Sequence, residues 1–198
     1  MVISRFMGRR RLHRTWVWPG ILLTTLITGP VTANPQGDRS DRPFSVSVPT
    51  AASLLLQRAQ RLTQLRIPYL FGGNDNAGMD CSRSVQRLYQ DLGIVLPRNS
   101  DRQATHLARQ GRLWRVAPSE TERAIFQRLR PGDLVFWTRS DPNRISHVMV
   151  FINADAAGIC LWGARGRGKT GMTGSGVDFF GYRPGSSGKL VAYGRPGI

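Results

Sequence analysis

The chain has 198 residues, 40% of them hydrophobic, with 28 Lys and Arg against 12 Asp and Glu, for a formal net charge of +16. That length suits one domain with a real core, and that composition excludes a disordered or low-complexity chain. Two cysteines permit one disulfide or a free reactive thiol, and the Cys and His residues show no ligand spacing, so no metal and no cofactor is expected.

The first 33 residues read as basic, then apolar, then small. Arg5, Arg9, Arg10, Arg11 and Arg14 precede any acid, an apolar run follows from Trp16 to Ile27, and Val31-Thr32-Ala33 forms a small-residue cleavage site. This order predicts a signal peptide over residues 1–33. Pro19 interrupts the run, which is shorter than the roughly 20 residues that a membrane span needs. The expectation is an exported protein of the periplasm, the extracellular space or the cell wall. Without the five leader arginines the net charge is +11, nearly all of it arginine. Such a surface suits anionic envelope polymers or lipids. Nucleic acid would match the charge, but no motif or aromatic platform supports it, and none is expected as a partner.

Residues 34–48 are polar and broken by prolines, a flexible lead-in to a domain over 49–198. Leu54, Leu55, Ala59, Leu62 and Leu65 predict a helix over 50–65. A glycine-bearing loop, "IPYLFGGNDNAGMD", follows. Val85, Leu88, Tyr89 and Leu92 recur at helical spacing, so a helix starts near Cys81 and ends at Gly93. Ser100 with Gln103, and Ser119 with Glu122, read as capping boxes opening helices through about 110 and Leu129. The runs at 133–137, 147–152, 158–163 and 189–194 read as strands. Residues 163–188 hold nine glycines and read as a long irregular connection. Helices first and strands afterwards predict an α+β domain with N-terminal helices on a small antiparallel sheet.

"GARGRGKT", Gly163 to Thr170, satisfies the phosphate-loop pattern. That chemistry requires a helix starting at the Lys-Thr pair, and "GMTGSGV" is a poor helix former, so nucleotide binding is set aside.

Cys81 stands at a predicted helix start, where the helix dipole lowers a thiol pKa and free amides can hold an oxyanion. It also needs a base. His13 leaves with the leader and His106 reads as a surface residue, which leaves His147 at the head of a strand. Taken alone, a strand histidine is as readily structural. Cys160 reads as a buried apolar thiol, its side chain directed away from position 163 by strand alternation.

The combined pattern of Tyr69, Gly72-Gly73, Asp80-Cys81-Ser82, Leu96-Pro97-Arg98, Gln103, Pro131-Gly132-Asp133 and Ser146-His147-Val148 resembles the NlpC-type cell-wall cysteine peptidases. The resemblance implies a papain-like fold. It also implies cleavage of peptidoglycan stem peptides at the γ-D-glutamyl–diaminopimelate type of bond. It implies Cys81 as nucleophile and His147 as base, with Tyr69, Asp80 and Ser82 lining the substrate site; Asp80 is a candidate partner for a free peptide amine. The pattern departs from the family at Arg83, at Ser84, and at the third catalytic position, where Gly163 stands in place of a polar side chain. The alternative is therefore a catalytically impaired domain that binds peptidoglycan or a partner on the same fold.

Overall fold

The computed structural model describes residues 49–139, 141, 144–156, 158–167, 173–185 and 187–197. By its contacts the chain divides into Met1–Ser45 and Val46–Ile198, and the leader and lead-in lie outside the described residues. No helix among the described residues is long and apolar enough to cross a membrane.

The helical half is built as the periodicity predicts. Helix α1 spans Ala51–Gln64 behind an N-cap at Thr50, and turns Leu55, Ala59 and Leu62 inward. A two-residue hairpin follows, β1 (Asn74–Asp75) with β2 (Gly78–Met79), and leads directly into α2, Cys81–Gln90. Helix α3 covers Ser100–Arg109. Its cap is Asn99, whose side chain accepts from the Arg102 amide, rather than Ser100. Ser100 and Gln103 are both buried and bond elsewhere, so the expected capping box does not form. The second one is displaced in the same way: α4 is only Glu122–Phe126, capped by Thr121.

The sheet has six antiparallel strands. In chain order they are β3 (Leu113–Arg115), β4 (Leu134–Thr138), β5 (His147–Asp155), β6 (Gly158–Arg167), β7 (Thr173–Tyr182) and β8 (Lys189–Gly194). In space they run β3-β8-β4-β5-β6-β7. The α+β expectation holds. The irregular connection over 163–188 does not, because most of it is the β6–β7 pair. Its glycines permit close approach: Gly176 has φ +80°, and a β-carbon there would meet the Ile67 carbonyl at 2.0 Å. The segment from Gly163 to Arg167 is strand, and Lys169–Thr170 lie outside the described residues. Among the described residues the next element is β7.

The sheet separates two cores, and strand alternation explains why "LVFWT" is buried throughout. Leu134 and Phe136 face α1, α2 and α3 together with Val148, Val150 and Trp162. Val135 and Trp137 face α4 together with Met149, Phe151 and Tyr182. The first core sets α2 against β5 and β6.

Candidate active site

The hairpin delivers Cys81 to the first position of α2. Asp80 is the N-cap: its Oδ1 accepts from the Arg83 amide at 2.8 Å and from the Ser82 hydroxyl at 3.0 Å. The segment before the hairpin is held to β2, with the Met79 amide donating to the Pro68 carbonyl and the Leu70 amide to the Met79 carbonyl. This brings Tyr69 beside the helix start. Tyr69, Asp80, Cys81 and Ser82 then line one cleft of about 530 Å³ together with Ser146.

His147 follows Ser146 and begins β5. The backbone amide of its neighbour Val148 is among the groups that favour the charged form of the Cys81 thiol, as are the amides of Ser82 and of Cys81 itself. Cys81 and Val148 are buried in the same core cluster, where α2 packs on β5. The imidazole packs on the Trp137 ring, centroids 5.7 Å apart and planes inclined by 43°. Trp137 is fixed in turn: its indole N–H donates to the Tyr182 hydroxyl at 3.2 Å, and that hydroxyl donates to Glu122 at 2.9 Å.

Burial rather than the helix dipole dominates the cysteine. It pushes the Cys81 thiol up to about 11, with Asp80 adding to the rise and the three amides opposing it. This reverses the expectation of a depressed thiol pKa. His147 moves the other way, to about 4, through burial and then the charges of Arg139 and Arg165. Tyr69 rises to about 12 through burial and the charges of Cys81 and Asp80, with Arg139 opposing. Near neutral pH the resting site thus holds a neutral thiol and a neutral imidazole.

Arg98 is a residue that sequence reasoning quoted within Leu-Pro-Arg but gave no role. Its guanidinium donates to both Asp80 oxygens at 2.9 Å, to Ser82 Oγ at 3.0 Å, to the carbonyls of Gly72 and Gly73, and to Asn74 Oδ1. One side chain ties the loop, the hairpin and the helix start together. It also occupies Asp80, whose oxygens are not open in the way an amine-binding role would need. Buried Gln103 supports the same region by donating to the carbonyls of Ser82 and Pro97, both at 2.9 Å.

The departures from the family pattern are linked in space. Ser84, fully buried, donates to the Cys81 carbonyl at 2.8 Å and accepts from the Ala164 amide at 2.9 Å. The paired register of β5 and β6 reaches Val150–Trp162, and beyond it β6 turns its Ala164 amide to the helix. Gly163 lies at that point with φ +155°, and a β-carbon there would sit 3.6 Å from Met149 and 3.7 Å from Ser84 Oγ. The β6 residue whose charge reaches His147 is Arg165. Arg83 turns outward, bonding the Asn74 carbonyl and Gln86.

Cys81 and Cys160 are both free; Cys160 is half-buried on β6, and burial raises its thiol pKa. No group of three or more potential metal ligands occurs among the described residues.

Comparison with known proteins agrees with this arrangement. Residues 66–170 match the model of the NlpC/P60 family. The gamma-DL-glutamyl hydrolase of Bacillus subtilis (strain 168) is 33% identical over 107 residues, covering 53% of this chain and 22% of that protein. The match thus spans about a fifth of that relative. Among solved structures, an NlpC/P60 family protein from Bacillus cereus ATCC 10987 superposes with a TM-score of 0.51 at 21% identity, over 74% of this chain and 40% of that one. A Staphylococcus aureus protein described as similar to lipoprotein, NLP/P60 family, has a TM-score of 0.49 at 18% identity, over 73% and 41%. The family match covers more than half of the chain, and with the fold it is decisive: the chain belongs to the NlpC/P60 family of cell-wall cysteine peptidases.

Proposed function

We propose that this chain is an exported thiol hydrolase that cleaves γ-D-glutamyl bonds in cell-wall stem peptides, the γ-D-glutamyl–diaminopimelate bond among them. The observation that carries the reading is the cysteine at the start of α2, in a cleft, packed in one core cluster with Val148, the residue that follows His147 on β5. The name of the Bacillus subtilis relative, a gamma-DL-glutamyl hydrolase, supports the γ-glutamyl choice.

In this reading the Cys81 sulfur attacks the scissile carbonyl while its proton passes to His147. The Cys81 amide, at the free end of α2, stabilises the oxyanion. Collapse of the tetrahedral adduct breaks the C–N bond, and the leaving amine takes the proton from His147. Water, deprotonated by the same imidazole, then cleaves the thioester and restores the thiol. Because both groups rest neutral, proton transfer accompanies attack instead of preceding it. Trp137 holds the imidazole by packing. The residues expected to line the substrate site, Tyr69 and Ser82, flank the thiol, whereas Asp80 serves as cap and as anchor for Arg98.

The second reading, a binding domain with impaired chemistry, is favoured by one observation: at position 163 a glycine with no side chain stands where the family carries a polar residue. Incubating the protein lacking residues 1–33 with purified stem peptides, with products read by mass spectrometry, separates the two. Cleavage that vanishes in Cys81→Ser supports the hydrolase. Peptide binding without cleavage supports the binding domain.

A further inference from the structure

The wall of the Cys81 cleft is unusually rich in guanidinium groups for a site that must hold a peptide. Arg98, Arg102, Arg139 and Arg144 all line it. Arg98 is committed to Asp80 and the surrounding carbonyls. Arg102, Arg139 and Arg144 are exposed and take part in no ion pair among the described residues. The remaining acids on the wall have other surroundings: Asp101 lies in the first turn of α3, against the positive end of that helix, and Asp141 has interactions of its own.

Arg139 has the most telling position. It follows the end of β4 and lines the same cleft as Tyr69 and Cys81, and its charge acts on both Tyr69 and His147. Around His147 the other groups are Arg165 from β6, the Trp137 ring from β4, and Cys81, which packs against its neighbour Val148 in the core. No carboxylate is among the groups that shift it. Two cations beside a base oppose its taking a proton. An anion bound to Arg139 offsets the Arg139 share of that opposition at the step where the proton leaves the thiol.

A planar guanidinium presents a rigid fork that matches a carboxylate, and charge-assisted bonds of this kind are the strong ones. We propose that Arg139, with Arg102 and Arg144, binds free carboxylates of the substrate, so that the chain cleaves γ-linked glutamyl peptides with free α-carboxylates and discriminates against amidated ones. This rests on the hydrolase reading and adds its substrate class. Two sources present that chemistry, a γ-glutamyl homopolymer and a diaminopimelate-containing stem peptide. Because the anion also relieves His147, the discrimination appears in kcat as well as in KM.

The test pairs each substrate with its amide. A γ-D-glutamyl tetramer and an L-Ala-γ-D-Glu-diaminopimelate tripeptide are each prepared with free and with amidated glutamyl α-carboxyls. The expected result is a kcat/KM about tenfold or more higher for the free acids, in line with the worth of a hydrogen bond to a charged group. That ratio falls toward unity in Arg139→Gln and shrinks with added salt. Whichever free acid is cleaved faster identifies the source. Equal rates for acid and amide in the wild type overturn the proposal. So does an unchanged ratio in the triple variant Arg102→Gln, Arg139→Gln, Arg144→Gln with an unshifted melting temperature. If no peptide is cleaved, the hydrolase reading itself fails. Calorimetry of the same peptides with Cys81→Ser protein then decides the carboxylate claim separately: about tenfold tighter binding of the free acid upholds it, and equal affinities refute it.

Discussion

Installing the missing third side chain, Gly163→His, tests whether this site lacks a part or is built differently. The structure predicts a less stable protein with no gain in rate. Gly163 is buried with φ +155°, a conformation that L-residues rarely adopt, so the β-carbon alone costs about 1–3 kcal/mol. The carbon itself has ordinary contacts with Met149 and Ser84, but the imidazole beyond it must displace one of them. Overpacking of that kind costs about 1–3 kcal/mol more. Moving Ser84 also endangers the bond that its oxygen accepts from the Ala164 amide. A total of roughly 2–6 kcal/mol corresponds to a fall in melting temperature of about 4–24 °C for a chain of this size. Differential scanning calorimetry and stem-peptide hydrolysis on the same preparation give both readouts. A Gly163→His protein that melts within 2 °C of wild type and turns over about tenfold faster or more would refute the reasoning. It would mean that β6 can carry a histidine to His147, and that a positioned partner was the missing element.

Four further outcomes follow from the same structure. Alkylation of Cys81 by iodoacetamide should rise with pH to a midpoint well above the ordinary 8.5, because burial holds the thiol protonated; a midpoint below 8.5 would instead reveal a thiolate–imidazolium pair. His147 is depressed to about 4 against about 6.5 unfolded, so the unfolded chain binds the extra proton and stability falls as pH drops from 6.5 to 4, by up to about 3 kcal/mol. Denaturant midpoints across that window should be flatter in His147→Gln, and an identical slope would contradict the assigned burial. Ser84→Ala should destabilise by about 1–3 kcal/mol in urea, since it leaves the buried Ala164 amide without an acceptor; a neutral effect would show that β6 re-pairs with β5. Arg98→Ala should lower both melting temperature and turnover, because it unties the glycine loop from the helix start, and a variant stable and active as wild type would remove Arg98 from the site's framework.

What the sequence determined by itself is what periodicity and local chemistry encode. The apolar spacing of Leu55, Ala59 and Leu62, and of Val85, Leu88 and Tyr89, was enough to find α1 and α2, because each helix buries a single stripe. The β-rich runs located β4, β5, β6 and β8, and the ordered motifs around Asp80-Cys81-Ser82 and Ser146-His147 pointed to the family. The β6–β7 pair escaped because its glycines signal loop locally, while their use, close passage of Gly176 over Ile67, is a contact across more than a hundred residues. Both capping boxes failed because Ser100 and Gln103 form bonds with distant carbonyls, and Thr121 stood nearer to the start of α4. Only the tertiary structure decided the electrostatics of the site. A helix start predicts a lowered thiol pKa from local dipoles alone, but desolvation depends on how many groups surround the sulfur, and that is set by the packing of α2 on β5. In the same way, the sequence shows a Gly163 and a Ser84 that are 79 residues apart. The fold makes them one feature, the point where β6 leaves β5 and bonds to α2 instead.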